Sequence, residues 1–563
     1  MKKTIFSITA LLLLAVSCSL EERPYGTIDH EDFYQNEQQC EAALSGVYRI
    51  FEIFNSSFVF MSECCSDTWR ADATTDDAFL NISPSNPGHG NTMWTKLYAG
   101  VMNANEAIYY IERSSLEPDV KARLAAEGRV LRGVAYYYLT SVFDGVPYYT
   151  CPVTSFEVQD SIRFLPRTDA SEIRRMVYED IEENALPYFK DGYRKRTSEV
   201  KGNRAGYALG LMIMAKCAMW NQDWDAALAP LDSLEKLYGD FKDAPETFET
   251  VYPLEKTQWR YKNEDESIFE IQHAWSYTGV QANGNLAQVL TPKFNDGLFD
   301  GVAMDGYGTS LPSWNGAYSN KHFARMYYDH KDKNTPTLTS DSKSSIFYPL
   351  PIRAKDFDPN ANRWNVEIDL EAVRTLKFAV SEKDIRPIDR RALLCLGIGN
   401  LQTGEVFGKV KSNGLVWGGP KFWCPDLVQG YDSNNYNLFR YADAILMMAE
   451  CHAMLDHGNE AVKYYNIIRT RAGVPVQKNF SGSDDMMTLI RAERARELCG
   501  EFTRKFDLVR WGMWYDQTRL YNDRLTTAAY KDNWFEYHQY YPIPDKQCAL
   551  SGYAISNPAY GGK

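Results

Sequence analysis

The chain has 563 residues, a net charge of −13 and a sequence pI near 5.3. This acidity argues against a surface that binds nucleic-acid phosphates and against tight electrostatic attachment to anionic lipid, so no nucleic-acid partner is expected. Eleven cysteines are far fewer than a disulfide scaffold of this length would carry, and the pairing of the adjacent Cys64 and Cys65 is left open.

The first eighteen residues have the pattern of a lipoprotein signal. Two lysines precede an apolar run over residues 5–16, which is too short to cross a bilayer and fits a secretory signal. Small residues then lead to Cys18, as a lipoprotein signal peptidase requires. We expect residues 1–17 to be removed, Cys18 to anchor the chain to a membrane through acyl chains, and residues 18–40 to form a tether. An ordinary signal peptide with a chance cysteine is the alternative.

Alanine-rich and amphipathic stretches predict helices along much of the chain. Leu97–Ile111 and Ala122–Phe143 read as two of them. Met214–Leu234 and Met448–Ile468 look like copies of one unit, in which a helix, a short polar turn and a second helix follow one another. Small residues at the crossing let such helices approach closely, as in tetratricopeptide-like pairs. Because the copies are far apart, we predict a discontinuous helical framework that carries a large insertion.

The insertion, residues 241–436, has a different composition. Ser267–Gln272 alternates as a half-buried strand does, and the remainder is rich in Gly, Asn, Asp and Pro. The framework is assigned to residues 41–240 and 437–530, and residues 531–563 to a C-terminal tail that packs on it. The predicted fold class is therefore mostly α, with a few short strands in the loop-rich insertion.

Sequence motifs for catalysis are missing. The sequence has no HExxH, no P-loop, no GxSxG and no GxGxxG after a strand, so no catalytic residue is assigned. His452 and His457 lie five residues apart and would not share a helix face, so no metal ligand is assigned either. No cofactor is expected, and a structural calcium ion is not predictable. Paired glycosidase carboxylates have no fixed spacing in sequence, which leaves an anchored glycoside hydrolase as a less favoured alternative.

One segment, FRYADAILMMAE at Phe439–Glu450, resembles the SusD/RagB family of outer-membrane nutrient-binding lipoproteins of the Bacteroidetes. Further segments with similar family patterns follow in order along most of the chain: Asp32–Phe51, Leu131–Tyr149, Glu493–Gly512 and the tail from Tyr540 to Tyr560. The chain departs locally from the family at Glu501–Arg504 and at Asn557–Tyr560. These departures affect turns of the framework rather than a ligand site.

The resemblance implies a non-catalytic solute-binding protein with the SusD-like fold, anchored in the outer membrane and facing the cell exterior. Such proteins pair with a SusC-like TonB-dependent transporter and deliver an oligosaccharide to it. In RagB-like branches of the family the ligand is a peptide, and this alternative stays open.

Charged residues are dense in the segment that starts at Glu493. We expect them to form charged helix faces and ion-paired caps rather than ligand contacts. They are Glu493, Arg494, Arg496, Glu497, Glu501, Arg504, Asp507 and Arg510.

Three stretches could supply the ligand site because they place aromatic or polar residues in loops: a polar loop from Asp67 to Gly90, residues 273–277 after the predicted strand, and the loop GYGTSLPSWNGAYSN at residues 306–320. Aromatic residues make up 14% of the chain, and a pyranose ring packs well on Trp and Tyr faces. Each ring could instead pack in the core. The candidate ligand-binding residues are Trp69, Arg70, Trp275, Tyr277, Tyr307 and Trp314.

Overall fold

A computed structural model describes residues 33–71, 75–190, 192–274, 284–290, 316–327, 352–358, 363–368, 378–380, 383–385, 389–397, 405–406, 410–411, 417–422, 424, 432–525, 527 and 533–561. Within these residues, no helix has both the length and the apolarity to cross a bilayer. The predicted signal segment and Cys18 lie outside the described residues.

Helices dominate the described part of the chain, which confirms the predicted fold class. The first nine are α1 (Glu37–Val47), α2 (Ser56–Met61), α3 (Gly90–Arg113), α4 (Pro118–Phe143), α5 (Phe156–Arg163), α6 (Ala170–Asn184), α7 (Tyr207–Trp220), α8 (Trp224–Tyr238) and α9 (Thr247–Val251). They are followed by α10 (Ala287–Leu290), α11 (Lys321–Met326), α12 (Ala392–Cys395), α13 (Tyr441–Met454), α14 (Gly458–Ala472), α15 (Ser483–Glu497), α16 (Arg504–Arg510), α17 (Trp514–Tyr521) and α18 (Asp545–Leu550).

Strands are short and form two-stranded antiparallel sheets. They are β1 (Trp69–Ala71), β2 (Ser267–Ile271), β3 (Ala317–Ser319), β4 (Ile352–Asp358), β5 (Arg363–Ile368), β6 (Phe378–Val380), β7 (Lys383–Ile385), β8 (Leu396–Gly397), β9 (Glu405–Val406), β10 (Val410–Lys411), β11 (Trp417–Gly418) and β12 (Tyr436–Arg440). The pairs are β1–β3, β2–β12, β4–β5, β6–β7, β8–β11 and β9–β10.

The two predicted helix-turn-helix copies are α7–α8 and α13–α14. Both pairs have a first helix of 14 residues, a second helix of 15 residues and three residues between them. Each turn also has one residue in the left-handed region, Gln222 at φ 57° and Asp456 at φ 58°. The helix α8 packs against α13, so the copies are neighbours in space although they are distant in sequence.

A buried cluster of charges ties the two copies together. Lys216 of α7 donates to Asp443 of α13 at 2.7 Å, and the same carboxylate is 2.8 Å from Arg494 of α15. Arg510 of α16 reaches Glu450 of α13 at 2.5 and 2.7 Å. These pairs cross between helices, so they fix how the helices pack.

The strand β2 runs beside β12, so a strand within the predicted insertion pairs with the strand at which the insertion returns to the framework. The expectation that β2 is half-buried is wrong, since all five of its residues are buried. Burial of the polar Glu270 is possible because its carboxylate accepts hydrogen bonds from the Asn263 backbone and the Asn435 side chain, each at 2.8 Å. The predicted domain boundaries themselves stay a prediction.

A second, larger set of buried charges lies where β2, β12, α14 and α15 meet. We call it the central ion network, and it comprises Glu266, Arg391, Lys421, Arg440, Arg471, Glu497 and Glu501, each at most 6% exposed. The expectation of charged helix faces is therefore wrong for this segment. The side chains pair across elements in the interior, where water is excluded.

Glu497 is the centre of this network because three arginines converge on its carboxylate. Arg391 and Arg471 donate to it at 2.8 and 2.5 Å, and Arg440 lies 2.7 Å away. Burial alone would raise the pKa of Glu497, but these arginines hold it well below its usual range. The carboxylate is therefore charged at neutral pH.

We expect Glu497→Gln to destabilise the protein by about 3 to 5 kcal/mol, because it leaves buried guanidinium groups without their counter-charge. The matched control is Glu179→Gln, which removes an exposed pair with Arg175 on α6 and should cost at most about 0.5 kcal/mol. Urea unfolding at neutral pH measures both. Equal, small losses would contradict the structural role of the network.

Glu63 should make stability depend on pH. Burial raises its pKa to about 8, with smaller opposing effects from Arg504 and Lys421. The folded protein therefore keeps a proton on Glu63 that the unfolded chain releases near pH 4.5. The stability that Glu63 contributes is fully present below pH 4.5 and is lost as the pH rises towards 8. We expect Glu63→Gln to match the natural protein at pH 4.5 and to exceed its stability at pH 9 by on the order of a few kcal/mol. Unfolding curves at both pH values test this, and a pH-independent difference would contradict it.

Candidate functional site

The described ends of the three candidate stretches lie in one part of the fold. The first stretch enters through β1, which pairs with β3, so that Trp69 lies opposite Ser319 and Ala71 opposite Ala317. The segment with Tyr307 and Trp314 runs directly into β3. Its C-terminal end is therefore beside the first stretch.

Trp69 and Arg70 are neighbours in β1, so their side chains point to opposite faces of the strand. Trp69 is 0% exposed and packs edge-to-face against Phe422 at 5.7 Å, whereas Arg70 is only half-buried. A ring in this position has no face open to a ligand, which favours the packing role left open for Trp69. Arg70 points to the other face of the strand, and its role as a ligand contact stays a prediction.

The second stretch follows β2. The backbone of His273 donates to the Asn435 side chain at 2.9 Å, and Gly284 pairs with Asp432 where the chain returns. Tyr436 supports the return, since its hydroxyl accepts from the backbone of Asn285 at 2.6 Å. The loop with Trp275 and Tyr277 thus starts and ends on β2, β12 and the residues beside them.

The two aromatic loops share a support. Residues 284–290 contact the beginning of β3, where a side chain on Gly316 would meet Val289 at 3.3 Å and Phe60 at 2.9 Å. A larger residue than glycine does not fit at this crossing. We call β1, residues 284–290 and residues 316–319 the loop base.

Four of the predicted ligand-binding residues, Trp275, Tyr277, Tyr307 and Trp314, lie outside the described residues. Their roles stay predictions. The described ends of their loops are brought together at the loop base, and so are Trp69 and Arg70.

Buried polar side chains that the sequence analysis did not single out hold the loop base. Asn522 donates to the backbone carbonyls of Cys64, Ser66 and Trp69 at 2.9 to 3.1 Å. Asn320 also donates to the Trp69 carbonyl, at 3.0 Å. A lone asparagine at the end of a strand or helix has no sequence pattern that distinguishes such a role, which is why these residues were missed.

Asp67 shows the same kind of support. It is buried and forms a bidentate ion pair with Arg504 of α16 at 2.7 and 2.6 Å. Its place at the start of a polar loop suggested a ligand contact, but both carboxylate oxygens are used by the framework. The adjacent Cys64 and Cys65 are buried free thiols.

Other chemical features lie away from the loop base. A cavity of about 430 Å³ opens between α1, α4 and residues 189–206, and Arg123, Glu127 and Arg204 line it. Among the described residues, no group of three or more His, Cys, Asp or Glu side chains is placed to hold a metal ion.

Comparisons with known proteins identify the class of protein. Residues 427–560 match the family model described as the SusD family, and residues 39–182 match one described as "Starch-binding associating with outer membrane". A SusD-like protein of Formosa agariphila is 25% identical over 585 aligned positions, which cover 98% of this chain and 97% of the relative.

Solved structures share the fold. A SusD-like protein from Bacteroides fragilis has a TM-score of 0.66 at 18% identity, covering 94% of this chain and 98% of that one. A structure described as a laminarin binding SusD-like protein has a TM-score of 0.61 at 18% identity, covering 94% and 100%. The two family models, the relative and these structures together confirm the resemblance to the SusD/RagB family found in the sequence.

The opposite faces of β1 give a stability test. We expect Trp69→Ala to lower the free energy of unfolding by about 3 to 5 kcal/mol, because it removes a fully buried ring. Arg70→Ala, one residue along the same strand, should change it by less than about 1 kcal/mol. Denaturant titrations of the two variants compare them directly, and a small loss for Trp69→Ala would show that the ring is not packed as described.

Proposed function

We propose that this chain is a cell-surface lipoprotein that binds glycans at the loop base and delivers them to a transporter. The observation that carries the proposal is that the described ends of the three candidate stretches meet on one buried support. Loops mounted on a rigid scaffold commonly form binding sites because the scaffold fixes where their ends lie.

Family membership supports a carbohydrate as the ligand. One matching family is described as starch-binding, and one structural relative is described as laminarin binding. The residue types at the site agree with this class, since tryptophan and tyrosine faces stack on sugar rings and an arginine such as Arg70 donates to hydroxyl groups. Trp275, Tyr277, Tyr307 and Trp314 are the rings that we assign to this role.

The proposed location is the outer surface of the outer membrane, with Cys18 as the lipid-bearing residue. Support comes from the signal pattern that ends at Cys18 and from the family described as associating with the outer membrane. Several acyl chains on one cysteine hold a protein stably at a membrane, because each buried methylene contributes about 0.8 kcal/mol.

A SusC-like TonB-dependent transporter is the proposed partner, because the family resemblance implies one. We assign no catalytic residue and no cofactor. Binding alone, without turnover, is the proposed activity of this chain.

The direct experiment measures binding of the purified protein to a panel of soluble polysaccharides that includes laminarin and starch, with a peptide library beside it. We expect at least one polysaccharide to bind. Trp275→Ala, Trp314→Ala and Arg70→Ala should each weaken that binding about tenfold, since one stacked ring or one charged hydrogen bond contributes on the order of 1 kcal/mol or more.

The control variant is Phe156→Ala, which removes an aromatic ring that is 85% exposed on α5. Its affinity should equal that of the natural protein. Binding of peptides in place of polysaccharides would replace the proposal with the RagB-like alternative. Release of reducing sugar by the purified protein would replace it with a hydrolase.

A further inference from the structure

The turn between α13 and α14 brings two histidines together. Five residues apart on one helix they would point to different faces, but α13 ends at Met454, before His457 is reached. The backbone of His457 donates to the His452 carbonyl at 2.8 Å, and Asp456 between them is left-handed. As a result the two Nδ1 atoms lie 3.3 Å apart.

The ring of His452 is held in place by its neighbours. It stacks on Tyr464, with ring centroids 5.4 Å apart and an angle of 7° between the planes. The Tyr464 hydroxyl donates to Glu235 at 2.8 Å and accepts from Lys242 at 3.1 Å. His457, by contrast, is exposed, so the pair is fixed on one side and open to solvent on the other.

The turn does not itself require histidines. In the matching turn of the α7–α8 pair, Ala218 and Asp223 occupy the equivalent positions. Asp223 caps α8 there by accepting from the Ala226 backbone at 3.1 Å. Two facing imidazoles are therefore a specific feature of the second helix pair.

The distance between the nitrogens is compatible with two uses. At 3.3 Å the two Nδ1 atoms are within reach of a hydrogen bond between the rings. Two imidazole ligands at about 2.0 to 2.1 Å from a tetrahedral Zn²⁺ ion also lie about 3.3 Å apart, whereas adjacent ligands of a square-planar ion lie about 2.9 Å apart. The pair therefore already has the spacing that a tetrahedral ion requires.

We propose that His452 and His457 bind a Zn²⁺ ion through their Nδ1 atoms. Two protein ligands leave two positions of the tetrahedron to water, because no group of three or more His, Cys, Asp or Glu side chains is placed to hold a metal in the described part of the chain. The site is therefore an exchangeable surface site and not a closed structural one.

Isothermal titration of the metal-free full-length protein with ZnCl₂ tests the proposal. We expect one site that is weakened at least tenfold by His457→Ala and by His452→Phe, since losing a ligand costs no less than losing an outer-shell partner. The Phe variant keeps a ring to stack on Tyr464. Cys151→Ser, which removes an exposed thiol, should leave the affinity unchanged, and melting curves check that each variant is folded.

The coordination geometry of the bound ion can be measured separately. Titration with Co²⁺ should give the intense visible absorption of a tetrahedral ion, and this absorption should be absent from both histidine variants. Absence of zinc binding, zinc binding that survives both histidine substitutions, or a weak octahedral Co²⁺ spectrum would each overturn the proposal. None of these results bears on glycan binding at the loop base.

Discussion

The fold depends on the pairing of charges that are buried far from water. The carboxylate of Glu497 forms ion pairs with three arginines from three separate segments. One of them, Arg440, also forms ion pairs with Glu266 and Glu501. Each isolated charge would be prohibitively costly in the interior, so the arrangement is stable only when every partner is present. This requirement sets β2, β12, α14 and α15 in one relative position.

The position of the loop base follows from that constraint. The paired strands β2 and β12 lie at the two ends of the loop-rich part of the insertion. Arg504 and Asn522 hold the residues around β1 from the side of the C-terminal helices. Buried ion pairs and amide bonds are directional, and they therefore fix geometry more sharply than apolar packing does. Stretches that are far apart in sequence can share one binding surface because their ends are held in this way.

Structural elements with a local sequence period were predicted from the sequence, whereas arrangements that depend on tertiary contacts were missed. The two helix pairs were visible because alanines and polar turns recur with helical spacing, and the structure gives them equal lengths. The charged segment from Glu493 was expected on helix faces, since spacing alone does not show that Arg391 and Arg471 approach from elsewhere. Trp69 and Arg70 illustrate the same limit. Only the strand and its pairing with β3 show that the first points inward and the second does not.

The central claim is that a rigid, ion-paired framework presents a ligand site at the loop base. Amide hydrogen exchange of the full-length protein, measured with and without a bound polysaccharide, tests this claim most directly. The account predicts that β12 and α15 exchange only through global unfolding in both states, and that the ligand adds protection in β1, residues 284–290 and β3. Fast local exchange in β12 and α15, or ligand protection confined to other parts of the chain, would contradict it.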